Sequence, residues 1–236
     1  MGAPRQGRTG KRGDLPMAHQ AGGQRPTPRP PVFETPEVQA YLEDYAVFLN
    51  AVPFPSLVVD HRWDVLLANA AFQTLFRDVE PHPTAMPGDN FLRFVLFHPD
   101  ASTVLGEHES SWCLPMLAHF AKTVERDGHD HGLQAIRRDI AQDPIMEAAY
   151  RQGLPHWLRA VGEQAAEHDG AVRPLRHPDP RWGVTDCRLV VETTRILEGM
   201  DCTRLTLVLR ETRRAPSRRR GHRRAASHLS VVSAAD

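Results

Sequence analysis

The sequence predicts an α+β domain, an antiparallel sheet with helices on one side, carried between two basic tails. Three observations predict it: two strand patterns meeting at a turn near residue 60, helical periodicity through the middle of the chain, and alternation returning before residue 210.

In the first strand pair, Leu57 and Val59 alternate with Ser56 and Val58. Asp60-His61-Arg62 interrupts the run, and Trp63, Val65 and Leu67 resume it at period two, as a hairpin does. Asn69 stands where the second strand ends and Ala70 to Phe76 takes up helical composition, so its side chain is expected to cap that helix. Ahead of the hairpin, Thr35-Pro36-Glu37 supplies an N-cap, a proline at the first helical position and an acid in the first turn. Val38, Tyr41, Leu42, Tyr45 and Leu49 then mark one face of a helix that docks on the domain.

After a proline-rich loop from Asp78 to Asn90, Phe91, Leu92, Val95 and Leu96 form a helical face stopped by Pro99, with Phe94 lying off it. Leu117, Phe120, Ala121 and Val124 repeat the helical period over 114–126. Asp127-Gly128 and Gly132 frame His129-Asp130-His131 as a polar loop. Asp143-Pro144 opens a further helix through Tyr150, and Leu154, Trp157, Leu158 and Val161 mark the next. The end reverts to strands. Val172 to His177 is one; Cys187, Leu189 and Val191 alternate with Arg188, Val190 and Glu192; Leu205, Leu207 and Leu209 alternate with Thr206 and Val208. Glu198 to Asp201 is expected as the loop between the last two, and consecutive hairpins require antiparallel neighbours.

Lysine and arginine balance aspartate and glutamate at 29 each, but the balance is uneven along the chain. Residues 1–30 carry six basic side chains and one acidic, residues 210–236 eight and two, which leaves 15 basic and 26 acidic in between. An acidic body repels phosphate backbones, so nucleic-acid affinity is expected only from the tails. The segment 1–34 is rich in Gly, Pro and Arg, and it and residues 213–236 are expected to be disordered on either side of a domain at 35–212. In the C-terminal tail, Arg213, Arg214, Arg218, Arg219, Arg220, Arg223 and Arg224 could bind nucleic acid without sequence preference, or simply form a solvated end.

Cys113, Cys187 and Cys202 are far apart and form no CxxC pair, which argues against a disulfide framework or zinc ribbon and for a reducing, cytoplasmic compartment. No apolar run approaches the roughly eighteen residues of a membrane span. His129-Asp130-His131 is the densest set of potential metal ligands, yet it lacks a third ligand and reads as solvated, so no metal is expected. His98-Pro99-Asp100 reads as a helix-to-turn junction. Ser110-Ser111 has no GxSxG elbow around it, and neither GxGxxG nor GxxxxGK[ST] occurs, so no catalytic residue or cofactor is expected.

The chain resembles the ligand-binding domain of MmyB-like transcription regulators, a PAS-like module found mainly in actinobacterial proteins. The resemblance covers roughly 36–212. It rests on Pro55-Ser56-Leu57-Val58-Val59-Asp60 followed by Trp63-Asp64-Val65-Leu66 and Ala68-Asn69, and on Asn90-Phe91-Leu92-Arg93 leading to Phe97-His98-Pro99-Asp100. Trp112 ahead of a long helix, Trp157, His177-Pro178 and Arg204-Leu205-Thr206-Leu207-Val208 complete it. Arg151 to Pro155 and Asp179 to Trp182 fit the family loosely.

The resemblance implies a non-enzymatic sensor that holds a fatty-acid-like molecule between sheet and helices. The residues expected to line its pocket are Val58, Leu66, Phe91, Phe94, Trp112, Leu117, Phe120, Trp157, Leu189, Val191, Leu205 and Leu207, though burial in the core is the ordinary role of apolar residues at such spacing. Arg93 and Arg188 are candidates to pair with a carboxylate. In the family such a domain follows a DNA-binding helix-turn-helix of roughly 55–60 residues. Only the basic segment lies upstream of Thr35, so the expectation is a sensor without its reader, or a start codon placed too far downstream. Expected partners are the small molecule, a protein partner or a second copy, and DNA only through such an upstream unit or the basic tail. The competing reading is a ligand-free interaction module that docks through its acidic body.

Overall fold

The computed structural model describes residues 35–210, and the two tails, with all seven arginines singled out above, lie outside the described residues. A five-stranded antiparallel sheet runs in the order β2-β1-β5-β4-β3, formed by β1 (Ser56–Asp60), β2 (Val65–Ala68), β3 (Val172–Arg176), β4 (Val184–Glu192) and β5 (Cys202–Leu209). This is the α+β, PAS-like sheet that the sequence predicts. Cys187, Leu189 and Val191 face Leu209, Leu207 and Leu205 across the central pair, so the alternating apolar set of each strand shares one face. Pro174 sits in β3, an edge strand, where the N–H it lacks is not needed by a second neighbour.

The helices α3 (Phe91–Phe97), α4 (Ala101–Val104), α5 (Leu114–Arg126), α6 (His131–Gln142), α7 (Pro144–Ala148) and α8 (Leu154–Val161) form a layer with α2 (Ala70–Leu75) against that face. The sheet's other face is not bare, contrary to the one-sided packing expected. Helix α1 (Pro36–Asn50) and the short α9 (Arg195–Gly199) cover it, with Tyr45, Leu49, Val58, Leu197, Met200 and Cys202 forming a second, smaller core. All five residues of β1 are buried because it has neighbours on both faces: Leu57 and Val59 belong to the main core, Val58 to the smaller one.

Thr35, Asn69 and Asp143 cap their helices as expected, each side chain accepting from a backbone N–H of the first turn. Asn69 does more. Its Oδ1 also accepts from Ser56 N at 3.0 Å, and its Nδ2 lies 2.9–3.2 Å from the carbonyls of Leu49, Val52 and Phe54, tying α1, β1 and α2 together.

Four local expectations are corrected. His129-Asp130-His131 is a loop only in part: His129 and Asp130 lie in the turn after α5, but Asp130 accepts from Leu133 N at 2.9 Å and caps α6, which begins at His131 and buries Leu133, Ile136 and Ile140. The expected loop Glu198 to Asp201 is shorter than predicted: the chain is helical over Arg195–Gly199, because Thr194 caps that turn and Leu197 anchors it, and only Met200-Asp201 turns into β5. Trp63 belongs to the turn rather than to β2, with its backbone at φ 67. Phe94 is fully buried, since α3 is enclosed on nearly all sides and has no single inward stripe.

Two π-helical turns, His108–Cys113 and Ala149–Gly153, each lead into a Leu-Pro step at the start of α5 and α8. Pro115 and Pro155 lack an N–H, and their rings press on the carbonyls four residues back, Ser111 and Arg151. Widening the preceding turn relieves that clash.

Candidate functional site

A cavity of about 270 Å³ opens where the sheet, α5 and the segment Glu167-His168-Asp169 meet. Its sheet wall is Val59, Val191, Thr203 and Leu205; α5 gives His119, Thr123 and Arg126; the hairpin turn gives His61 and Trp63; Asp60 and Asp201 stand at the rim. The turn is held by Asp60, whose carboxylate accepts from the backbone N–H groups of Arg62 and Asp64 and pairs with the Arg62 guanidinium at 2.9 Å. That grip, with Trp63 N donating to Asp60 O and Phe91 N donating to Trp63 O, keeps Trp63 in a left-handed conformation that costs a bulky residue free energy. The indole stands edge-on to His119 and His168, with centroids at 5.4 and 5.2 Å, and touches Phe91 on its other side at 6.2 Å. It is the wall between the cavity and the aromatic core.

The two histidines stack at 4.9 Å. Burial depresses both imidazoles below the usual histidine range, His168 far below it, with the Arg173 charge adding to that shift, so both rings are neutral at pH 7. Arg173 Nη2 donates to His168 Nδ1 at 2.8 Å. A guanidinium can only donate, so Nδ1 is the acceptor and the neutral ring carries its proton on Nε2. That Nε2 is buried and has no hydrogen-bond partner. Arg173 itself is 3% exposed, stacks over Trp112 at 5.2 Å, and forms no ion pair with a carboxylate among the described residues. Burial lowers its pKa to about 10, so it remains charged. A buried donor without an acceptor and a buried cation without a counter-ion both cost stability.

Larger hollows exist beneath α1 (about 490 Å³) and between the two π turns (about 820 Å³). Both are surface grooves, and the Asp60, Arg62 and Asp64 charges lining the first are satisfied by one another. The other buried side-chain atom without a partner among the described residues, Arg204 Nε, belongs to the α1 side, where the guanidinium already pairs with Glu192 and lies over Phe48.

Of the residues expected to line a pocket, Val191 and Leu205 do line this cavity. Phe91, Phe94, Trp112, Leu117, Phe120, Leu189 and Leu207 lie in the closed main core, at most 1% exposed, and Trp157 is half-buried against it. Val58 and Leu66 face α1 on the other side of the sheet. Arg93 is engaged by Asp139 at 2.6 Å, and Arg188, exposed on β4, donates to the Gly170 carbonyl at 2.7 Å; neither reaches the cavity. His119, His168, Thr123 and Arg173 escaped sequence reasoning. The signal that could have found His119 is a polar residue set between Leu117 and Phe120 on the buried face of an amphipathic helix. His168 lies in an irregular segment with no periodicity to betray it.

Among the described residues no group of three metal-ligating side chains converges, and no helix is long and apolar enough to cross a membrane. All three cysteines are buried and unpaired, with burial pushing each thiol up to about 12, far from the reactive range. No curated protein matches the chain. The model of one family, described as the MmyB-like transcription regulator ligand binding domain, matches residues 43–208, a span that contains β1 to β4, β5 up to its last residue, and every wall of the cavity. With that span covering well over half of its length, the chain belongs to the MmyB-like family of transcription regulator ligand-binding domains.

Proposed function

We propose that this ligand-binding domain is a non-enzymatic, cytoplasmic sensor that takes up a fatty-acid-like molecule in the cavity between β1, β5 and α5, and that occupancy is relayed to a protein partner or a DNA-binding unit. The observation that carries the reading is this cavity between sheet and helices, where Val59, Trp63, Val191 and Leu205 supply apolar wall beside His168, whose buried Nε2 has no hydrogen-bond partner. An acyl chain against Val59, Val191 and Leu205 gains roughly 25 cal/mol per Å² of buried apolar area. The relay has a short physical route. Val59 touches the cavity and its neighbour Val58 touches the core under α1, so a shift of one strand moves both faces.

Thermal-shift titration of the full chain with saturated fatty acids of graded length tests the proposal. Binding at a hundredfold excess over Kd raises Tm by on the order of 5 °C. If no acid of any length raises Tm, and lipid extracts of the purified protein contain no organic acid above background, the ligand is not of this class.

A further inference from the structure

The two edges of the sheet are finished differently. β3 carries Pro174 and is met by the segment after α4, where Leu105 bridges Leu175 and Gly106 N donates to Pro174 O. β2 reads Val65-Leu66-Leu67-Ala68, with no charge and no proline, and all four residues are half-buried. Among the described residues its outer side is met only at the start, where Asp64 bridges Asn90 and Val65 N donates to Asp89 O. Asn69 N donates to Ser56 O and Ala68 faces Leu57, so by antiparallel alternation the Ala68 N–H and C=O point away from β1. No strand lies beyond them among the described residues. An uncharged, unpaired edge is a template for another strand.

Grooves run along both faces of this edge. On one, Leu42, Glu43 and Ala46 of α1 stand over Leu66 and Leu67; on the other, Phe72, Phe76 and Pro87 line the space beside Val65 and Ala68. A strand added to β2 turns successive side chains into the two grooves by turns. The α1 side is acidic. Glu37, Glu43 and Asp44 are exposed, α1 has no basic side chain, and none of the three forms an ion pair among the described residues.

The chain carries a segment of the matching pattern. Leu229, Val231 and Val232 are the only large apolar side chains in 211–236; Leu229 and Val231 alternate with Ser230 and Val232, and the arginines of 213–224 precede them. β5 and β2 finish at the same end of the sheet, since Thr206 faces Ser56 and Ala68 faces Leu57. A strand outside β2 lies three strand spacings from β5, roughly 15 Å. Residues 211–228 reach up to roughly 60 Å, so the tail is long enough.

We propose that residues 229–233 of the same chain pair with β2 at Ala68 as a sixth strand, with Leu229 and Val231 entering one groove and Val232 the other, while the arginines of 213–224 lie along the acidic side of α1. The tail then covers the helix that shares the smaller core with Val58 of β1, and a partner that reads α1 has to displace it. Docking of this kind does not depend on what the cavity between sheet and helices binds.

Hydrogen–deuterium exchange of the full chain is the test, read at the Ala68 amide and over 228–233, beside the full-length variants Val231→Pro and Glu43→Arg. Proline removes a strand N–H at a position outside the domain, so the fold is left alone. In about 0.05 M salt the Ala68 amide is expected to exchange about tenfold more slowly in the parent chain than in Val231→Pro, with Leu57 and Leu207 unchanged. Glu43→Arg is expected to remove about threefold of that protection, and raising the salt to about 0.5 M to weaken it similarly. Equal Ala68 exchange in the parent chain and Val231→Pro overturns the inference. Protection at Ala68 that vanishes on dilution overturns it too, because a second copy then occupies the edge.

Discussion

The two ends of the space between sheet and helices are built on opposite terms. At one, Phe72, Phe76, Phe91, Phe94 and Trp112 meet edge to face or offset, and the single polar group, Trp112 Nε1, is satisfied by Pro174 O at 3.0 Å. At the other, past Trp63, two neutral histidines and a buried arginine prevent that closure and a cavity remains. Apolar groups close a core without needing a partner, whereas His168 Nε2 and the Arg173 charge are buried with no acceptor and no carboxylate partner among the described residues.

The comparison breaks first on the aromatic side. Phe94→Ala is expected to cost about 3–5 kcal/mol in urea unfolding, the usual loss for a buried aromatic, with no change in the chain-length preference for acids. An altered preference means that the closed core is part of the ligand site after all. Asn69→Ala comes next. It removes a helix cap and leaves the carbonyls of Leu49, Val52 and Phe54 short of a donor, an expected loss of about 2–3 kcal/mol read from the same unfolding curves.

The histidine side sharpens the contrast through pH. His119 and His168 have folded pKa values below 6.5, so the unfolded chain binds protons that the native state refuses. Their contribution to stability is complete above the unfolded pKa and is lost as pH falls below it, with a slope approaching about 1.4 kcal/mol per pH unit for each imidazole. His168→Gln is expected to flatten that slope between pH 6.5 and 5. An unchanged slope would place the titration elsewhere. The smallest effect belongs to Arg93, engaged at the surface by Asp139. A double-mutant cycle on the pair should give a coupling of about 0.2–1 kcal/mol, and Arg93→Ala should leave octanoate affinity within twofold.

Much of this was legible in the chain. The Leu57–Leu67 alternation, the caps at Thr35, Asn69 and Asp143, and the terminal apolar stripe through Leu205, Leu207 and Leu209 state local rules that the tertiary structure obeys. Helix α6 was misread because its cap sits among histidines and glycines, although Leu133, Ile136 and Ile140 carry the helical period beyond them. The site was less legible for a different reason. Val191 and Leu205 follow from strand alternation, but the polar wall joins α5 to an irregular segment and a strand more than forty residues away, and only folding brings them together. Arg93 illustrates the converse. Nothing in its local sequence names Asp139 as its partner, because a contact across 46 residues leaves no periodic trace.

The most direct measurement follows the imidazole ¹⁵N resonances of His168 by NMR while octanoate is added. The ring should begin as the neutral Nε2–H tautomer, and its Nε2 signal should move and saturate with octanoate while resonances of Leu42 and Leu66 in the groove under α1 stay in place. A proton found on Nδ1, or a saturating response confined to Leu42 and Leu66, would put the ligand on the other face of the sheet and refute the site described here.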